Sequence, residues 1–269
     1  MSSTPNEIKH LRIRQQNTNK SLYAVSDLLG KCPPDKYDII AIQEPYIDFL
    51  GNARASPHWF SIYPKTHYIN KEKRMRSMIL ISKKIATDTW TTLDIRSPDI
   101  TVVKIKTHNS VVLIFNLYCN CTHNDSLLKL KEYIQQEAAQ TTQNEQNTSM
   151  IWLGNFNRHH PQWDEERNSH LFTRQNLDAA QTLIDATIER NMHMTLPKNL
   201  PTLKAMSTGN YTRTDNVFIS VDLIDKIIIC TTTPKDQPAK SDHFPIDTTL
   251  EINTTAAATK PKYNYRQTI

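Results

Sequence analysis

Residues Met150–Trp163 read MIWLGNFNRHHPQW and pass from an apolar run into a strongly polar loop. Met150 to Leu153 form a short apolar segment typical of a buried strand, and Gly154 then permits a sharp turn. Amides, a cation and two imidazoles follow at residues 155–160. The stretch is therefore either an ordinary strand with a polar loop or a strand end that carries chemistry, and the other segments bear on that choice.

Two earlier segments also end a strand with polar side chains. The alternation of apolar and basic residues over Leu11–Arg14 predicts a half-buried strand, and the polar run after it contains Asn17 and Asn19. The apolar segment Tyr37–Ile42 predicts a buried strand that leads directly to Glu44. A glutamate after a buried strand is, on its own, more often a loop carboxylate than a metal ligand. Only the combination with other motifs gives it weight.

The motifs together resemble those of a known superfamily. Leu153–Asn157 resembles the Gly-Asp-Phe-Asn signature of the endonuclease/exonuclease/phosphatase superfamily, which has the deoxyribonuclease-I-like fold, but Asn155 stands in place of the aspartate. The loop His159–Trp163 is similar to that of endonucleases from non-LTR retrotransposons. Thr212–Ile219 resembles the superfamily's aspartate-bearing strand. Lys240–Ile246 is similar to its Ser-Asp-His-x-Pro signature, and this is the most specific match.

The resemblance implies an α/β fold, a four-layer α/β/β/α sandwich of two mixed sheets flanked by helices. It covers residues 11–252 as one domain and leaves an N-terminal arm at residues 1–10 and a C-terminal tail at residues 253–269. A polar connection is expected over Thr141–Ser149. Helices are predicted over Ser21–Leu29, from Asp125 or Ser126 to Ala139, and over Asn176–Glu189; strands are predicted over Trp59–Tyr63, Ser77–Ile81, Thr101–Lys106 and Val111–Tyr118.

The resemblance also implies a divalent-metal site for phosphodiester hydrolysis. Glu44, Asp242 and Asn19 are the expected ligands of Mg²⁺ (or Mn²⁺), because hard cations prefer oxygen ligands. Such a cation would neutralise charge on the phosphate and on the leaving oxygen.

The remaining catalytic roles follow from the same resemblance. Asp215 would orient His243, and His243 would stabilise the charge that develops on a phosphoryl oxygen. Asn17, Asn157 and Tyr118 would supply neutral hydrogen bonds that position the phosphate.

Asn155 is the departure that puts activity in doubt. An amide oxygen can orient a water but cannot accept its proton at neutral pH, and general-base participation contributes roughly 10²–10⁴ in rate. The leading hypothesis is a metal-dependent endonuclease that nicks DNA, impaired by Asn155, with His159 as one possible substitute base. The alternative is a catalytically inactive nucleic-acid-binding remnant. Phosphatase or phospholipid diesterase activity is disfavoured because the loop after the central strand resembles the nuclease branch.

Charge adds a candidate surface for DNA. The net charge of +5 and pI near 8.9 are too mild to identify a nucleic-acid binder. Between Lys65 and Lys84, however, seven basic residues accompany a single acidic one. Within this cluster Lys73, Arg74 and Arg76 are predicted to contact phosphates, and the alternative is a merely solvated face.

Composition limits the class of protein and the cellular compartment that we expect. The 269 residues, 38% hydrophobic and 22% charged, are typical of a globular domain, and no run of 18 apolar residues occurs. Residues Met1–Lys9 lack the apolar stretch of a signal peptide, which favours an intracellular protein; the resemblance makes the nucleus the expected compartment. A monomer is expected, with a reverse transcriptase domain outside this chain as a possible partner.

The four cysteines have no paired spacing and are expected to be reduced thiols. Cys119, Cys121 and His123 would share one face of a strand and could hold a metal, but a fourth ligand is missing. Buried or edge-strand side chains are the favoured interpretation.

Overall fold

The computed structural model describes residues 7–54, 56–69, 74–108, 110–140 and 148–257, with residues 137–140 described by their backbone alone. Of the predicted arm, tail and polar connection, residues 1–6, 258–269 and 141–147 lie outside this description. The strands are β1 Glu7–Ile8, β2 Leu11–Asn17, β3 Ile39–Gln43, β4 Trp59–Ile62, β5 Ser77–Ser82, β6 Trp90–Leu93, β7 Ile100–Lys106, β8 Val111–Tyr118, β9 Thr148–Asn155, β10 Met192–Met194, β11 Leu203–Lys204, β12 Tyr211–Thr212, β13 Asp215–Ser220, β14 Ile227–Thr232, β15 Ile246–Leu250 and β16 Thr254–Thr255. The α-helices are α1 Leu22–Lys31, α2 Asp125–Gln140 and α3 Arg174–Glu189, and short 3-10 helices span Glu166–Leu171, Val221–Lys226 and Pro234–Asp236.

Two six-stranded mixed sheets form the centre of the molecule. Sheet 1 has the order β14-β15-β2-β3-β5-β4, and sheet 2 has the order β10-β13-β9-β8-β7-β6. Each sheet contains a parallel pair, β2 with β3 and β8 with β9, whose strands are joined through α1 and α2. Parallel neighbours need such a crossover connection, so each pair with its helix is a βαβ unit.

Three apolar cores separate four layers. Alternate residues of the strands face opposite sides. Ile13 and Ile79 of sheet 1 therefore pack against Ile114 and Leu153 of sheet 2 in the middle core. The outer face of sheet 1 packs against α1, and the outer face of sheet 2 packs against α2 and α3. This arrangement confirms the predicted α/β/β/α sandwich.

Local signals explain where the helices begin. The Ser21 hydroxyl accepts the N–H of Ala24 at 3.2 Å and caps α1. The Thr173 hydroxyl accepts the N–H of Asn176 at 3.3 Å, so α3 begins before the predicted start at Asn176. Within the described residues, no helix combines the length and apolar character needed to cross a membrane.

Several strands differ from the sequence prediction, and β2 and β6 show the reasons. Strand β2 continues through the polar residues Gln15–Asn17, because these residues pair with β3 and lie under the second sheet. A polar run of this kind is indistinguishable from a loop until its partner strand is known. Strand β6, Trp90–Leu93, was not predicted, since it is a short edge strand that pairs only with β7.

The segments assigned to the arm and tail contain a strand pair. Strand β1 pairs antiparallel with β16, and the Ala86 N–H donates to the Thr255 carbonyl at 3.1 Å. The described parts of both segments thus lie together against the loop after β5.

Candidate active site

The inner faces of the sheets change from apolar to polar toward one end of the sandwich. In β9 the core residue Leu153 is followed two positions later by Asn155, and in β13 the core residue Val217 is preceded two positions earlier by Asp215. Residues two apart in a strand share a face, so both polar side chains continue the inner face. The strand register places Asn155 beside Tyr118 of β8 on one side and opposite Asp215 on the other. A polar row therefore crosses the end of sheet 2.

Asn17 and Glu44 form the facing part of sheet 1. The Asn17 amide Nδ2 lies 3.5 Å from Glu44 Oε2, and the Lys20 ammonium lies 3.0 Å from Glu44 Oε1. Glu44 adopts φ +46, a conformation that L-residues rarely take. Its backbone is held by the Arg76 carbonyl at 2.9 Å and by the Thr18 hydroxyl at 2.8 Å. These bonds keep the carboxylate turned toward Asn17.

His243 is buried and paired with Asp215. Its Nδ1 lies 2.8 Å from Asp215 Oδ2, which also accepts the Thr214 hydroxyl at 3.1 Å. Burial lowers the pKa of His243, but the charge of Asp215 and the hydrogen bond to it outweigh burial, with smaller contributions from Asp242 and Glu44, so the net shift is upward. The ring is thus oriented by a carboxylate, which also stabilises its protonated form relative to an unpaired buried imidazole.

Asp242 and Asn19 differ in how they relate to this pair. The Asp242 carboxylate oxygen Oδ1 lies 3.9 Å from His243 Nε2, and its side chain is 25% exposed. Asn19 is exposed, and its backbone N–H donates to the Asn17 side-chain oxygen at 2.8 Å. Asp242 therefore faces the histidine, whereas Asn19 joins the group through its backbone.

Tyr118 connects the two sheets at the site. Burial, followed by the nearby Glu44 carboxylate, raises the pKa of Tyr118 to about 12. The Arg76 guanidinium lies over the Tyr118 ring, 4.4 Å from its centre. The phenol consequently stays protonated at neutral pH and can donate its O–H.

A tight turn after β9 positions the two asparagines. Asn155 Oδ1 accepts the Asn157 N–H at 3.0 Å, and the Asn157 amide donates to the Cys119 carbonyl at 2.7 Å. Gly154 has φ +142, and a Cβ there would overlap the Leu117 carbonyl of the neighbouring strand. Glycine is required at this position because both the backbone angle and the space exclude a side chain.

The loop after the turn is organised by Arg158, a role that was not predicted from the sequence. Its buried guanidinium donates to the carbonyls of Asn120 at 2.8 Å, His123 at 2.9 Å and Ala179 at 3.0 Å. Burial lowers the pKa of Arg158. The Trp163 indole N–H donates back to the Arg158 carbonyl at 3.0 Å. The side chain thus ties the strand exits of β8 and β9 to α3.

The two histidines of this loop have separate environments. His159 Nδ1 lies 3.3 Å from the buried Asp164 carboxylate. Burial raises the pKa of Asp164, but hydrogen bonds from His159 and Asn168 lead to a net decrease. Burial lowers the pKa of His160, whose ring packs 5.2 Å from Trp163.

Hydrogen bonds between side chains and backbone connect the two sheets directly beneath the site. Gln43 of β3 donates to Asn116 Oδ1 of β8 at 2.5 Å, and the Asn116 amide donates to the carbonyls of Ile42 and Met78 at 2.9 and 2.8 Å. Asn116 was not predicted from the sequence, although a polar residue on an inner-facing position of an apolar strand was the available signal.

The predicted basic cluster divides into different parts. Arg76 forms a two-point ion pair with Asp99, at 2.7 Å for each contact, and is half-buried. Arg74 is exposed, and Lys73 lies outside the described residues. Arg76 is therefore already engaged by a carboxylate and by Tyr118.

The predicted common face of Cys119, Cys121 and His123 is wrong. Strand β8 ends at Tyr118, Cys119 is buried, and Cys121 is exposed. Burial raises the pKa of the Cys119 thiol to about 12. The three side chains lie beyond the strand, where the alternation that would align them no longer holds.

The donor set fits a hard divalent cation held by few carboxylates. Among the described residues, no three His, Cys, Asp or Glu side chains cluster in the manner of a metal site. Glu44 and Asp242, both near His243, supply carboxylate oxygens, and the Lys20 ammonium already balances charge at Glu44. Magnesium sites commonly use one or two carboxylates together with water, so these residues fit Mg²⁺ better than a cation that needs a full protein cage.

Two six-stranded mixed sheets, flanking helices and this polar end define a deoxyribonuclease-I-like sandwich. The chain belongs to the endonuclease-reverse transcriptase family, whose model matches residues 112–247. No curated protein sequence matches the chain.

Solved structures share the fold at low identity. The endonuclease domain of TRAS1, a telomere-specific non-LTR retrotransposon, is 17% identical with a TM-score of 0.68, over 89% of this chain and 98% of that one. The AP endonuclease LMAP from Leishmania major is 12% identical with a TM-score of 0.70, over 90% and 88% of the two chains. The catalytic domain of APE2 from Xenopus laevis is 15% identical with a TM-score of 0.67, over 93% and 94%.

Proposed function

We propose that the protein is a metal-dependent endonuclease that nicks DNA. The observation that carries the proposal is the buried His243, paired with Asp215 at 2.8 Å and within electrostatic reach of Glu44 and Asp242. A carboxylate-oriented imidazole beside further carboxylates suits phosphodiester hydrolysis. DNA is favoured because the similar structures include a retrotransposon endonuclease and AP endonucleases.

Glu44 and Asp242 are the proposed ligands of Mg²⁺ (or Mn²⁺), with Asn19 as a candidate third ligand. When bound, the cation would supply charge neutralisation at the phosphate. A cation held by these residues would also relieve the repulsion between their carboxylates.

The chain's own residues account for substrate positioning. In its protonated form, which Asp215 stabilises, His243 would donate from Nε2 to a phosphoryl oxygen, because its Nδ1–H is directed at Asp215. Tyr118 would donate its O–H, which the raised pKa keeps protonated. Asn17 and Asn157 would add amide hydrogen bonds that hold the phosphate in line for attack.

Asn155 sets the expected rate. Its side-chain oxygen can orient a water, and it also accepts the Asn157 N–H at 3.0 Å. It cannot take up the proton of that water at neutral pH. The proposed enzyme therefore nicks DNA slowly.

The cellular setting is also proposed. Residues 11–252 would act as one monomeric catalytic unit in the nucleus. Cooperation with a reverse transcriptase is favoured by the family description and by the retrotransposon neighbour.

The test is nicking of supercoiled plasmid in Mg²⁺ and in EDTA. The wild-type protein should nick in Mg²⁺, lose activity in EDTA, and lose it again as His243→Ala. Equal nicking by His243→Ala, or nicking that survives EDTA, would contradict the proposal.

Asn155→Asp should raise Mg²⁺-dependent nicking by about 100-fold or more, since general-base catalysis contributes that order of magnitude. The two side chains are nearly equal in size, so packing should be preserved. Position 155 lies directly opposite Asp215 in the sheet, so the second carboxylate should lower the melting temperature in EDTA.

The outcomes distinguish an impaired endonuclease from an inactive nucleic-acid-binding remnant. If wild type and Asn155→Asp nick equally fast, the proton acceptor is another residue. If neither nicks while both bind DNA, the protein is a nucleic-acid-binding remnant.

A further inference from the structure

A cavity beside Tyr118 carries more positive charge than the polar end itself. It has a volume of about 400 Å³ and is lined by Arg74, Arg96, Lys129 and Ser126, with the Arg76–Asp99 pair as one wall. We propose that this cavity binds a backbone phosphate of DNA next to the phosphate that is cleaved. The inference rests on the proposed function, because it assigns a second contact for the same substrate.

The Arg76 side chain lies between the cavity and the candidate active site, and this places the two next to each other. Arg76 lines the cavity, and its guanidinium lies 4.4 Å from the centre of the Tyr118 ring. Neighbouring phosphates of one strand are separated by several ångströms, and adjacent pockets can hold them together. A strand that reaches Tyr118 would therefore continue over Arg76 into the cavity.

The charge balance of the lining favours an anion. Asp99 is neutralised by Arg76 at 2.7 Å, whereas Asp125 is a mostly exposed carboxylate 3.3 Å from the His123 ring, which is charged only if protonated. Within the described part of the chain, Arg74 and Arg96 are exposed and have no carboxylate partner. Arg74 and Arg96 together outweigh Asp125 and leave a net positive charge for a ligand.

Lys129 adds a third cation. It pairs with Glu132 at 3.1 Å, but both side chains are half exposed. Exposed pairs of this type contribute little, so the ammonium can exchange its partner for a phosphate.

Ser126 supplies an independent sign of a ligand. It is 2% exposed, and its hydroxyl has no hydrogen-bond partner among the described residues. Buried polar groups are nearly always satisfied, so an unpaired hydroxyl in a cavity wall calls for an acceptor. A phosphate oxygen in the cavity would accept this O–H.

The same residue lies in the first turn of α2. The first N–H groups of a helix lack intrahelical acceptors, and the helix dipole favours an anion there. The Ser126 hydroxyl and three cations therefore border one cavity, at the end of α2 where the helix dipole favours an anion.

The experiment measures binding of a short fluorescent duplex in EDTA as a function of salt, for Arg96→Ala and Lys129→Ala. The control is Lys106→Ala, an exposed lysine at the opposite end of β7. Each cavity variant should reduce the salt slope by about 0.9, the value expected for one phosphate contact on duplex DNA, and the control should leave it unchanged.

Ser126→Ala separates a ligand contact from a structural role. It removes an unpaired buried hydroxyl, so the melting temperature should stay equal or rise, whereas DNA affinity should fall by roughly tenfold, the value of one hydrogen bond to a charged group. A lower melting temperature with unchanged DNA affinity would overturn the proposal.

The remaining outcomes are decisive as well. Unchanged salt slopes in both cation variants, or no DNA binding by the wild type, would overturn the phosphate subsite, even if plasmid nicking succeeds. Reduced slopes in a protein that does not nick would keep the subsite and reject the endonuclease. If inorganic phosphate stabilises wild type but not Ser126→Ala while DNA binding is unaffected by every variant, the cavity is a free-phosphate site and the DNA assignment fails.

Discussion

Gly154 controls how closely the central strands can approach. A Cβ at this position would overlap the Leu117 carbonyl, which belongs to the register partner in β8. Because the obstacle is backbone rather than a flexible side chain, it cannot be relieved by a rotamer change. The turn that carries Asn155 therefore depends on a residue with no catalytic chemistry of its own.

Gly154→Ala should lower the free energy of unfolding by roughly 3 kcal/mol or more, through overlap and backbone strain together. Gly30 in α1 is the matched control, since nothing lies within 4 Å of a Cβ there. Gly30→Ala should raise stability by about 0.5 kcal/mol, because alanine favours helix. Urea unfolding measures both; equal effects would mean that the strands can separate to admit a side chain.

Two buried arginines stabilise the loops around the site, and neither has a carboxylate partner in the described part of the chain. Arg213 donates to the Leu196 carbonyl at 2.9 Å and to the Asn216 side-chain oxygen, and burial lowers the pKa of Arg213 to about 10. Arg158 donates to backbone carbonyls in the same manner. Both therefore act as multiple donors for loop carbonyls that would otherwise be buried and unsatisfied.

At the scale of elements, the alternation of apolar residues predicted which strand positions are buried. It did not predict which polar side chains pair with one another. The apolar positions of β8 and β9 identify buried strands, and the residues at their ends were identified through motifs. Asp99 and Arg76 lie 23 residues apart in sequence, and nothing local to either residue indicates their ion pair. The pairing of Asn116 with Gln43 likewise exists only because two sheets stack. Contacts of this type depend on topology, which a single sequence does not specify.

The extent of β2 illustrates the same limit. Gln15–Asn17 read as a loop because the residues are polar, yet they are buried members of a parallel ladder. Parallel pairing and cover by the second sheet override the local preference of these residues. The roles of the candidate site residues remain predictions, although Asn17, Glu44, Asp215, Asp242 and His243 lie close together.

Helix α3 allows the contribution of its N-cap residue to stability to be tested. Thr173→Ala removes the side-chain acceptor for the Asn176 N–H and should lower the free energy of unfolding by about 1 kcal/mol. Thr187→Ala lies in the same helix, where the hydroxyl only bonds back to the Ile184 carbonyl. That control should change stability by no more than about 0.5 kcal/mol, since alanine is the better helix former. Thermal unfolding distinguishes them; similar losses would exclude the cap as the cause.

At the scale of the whole molecule, the layered cores determine which thiols are accessible. Burial raises the pKa of Cys32 and Cys119 to about 12 and that of Cys230 to about 11, whereas Cys121 is exposed. Both burial and a high pKa suppress the reactive thiolate.

A colorimetric disulfide reagent at pH 8 should therefore modify one thiol rapidly in the native protein and all four after denaturation. Cys121→Ser should abolish the rapid phase. Two or more rapid thiols in the native state would mean that a core opens on the time scale of the assay.

The pairing of β1 with β16 determines how the protein could be tethered. Both strands lie beside the start of β2, and the seven residues of β2 then rise about 23 Å to Asn17. A reporter or second enzyme module joined directly before β1 or directly after β16 would consequently be attached far from the candidate active site and would not obstruct it. An enzyme module that acts on the nicked strand would therefore need a flexible linker of roughly 20 residues to reach the candidate active site.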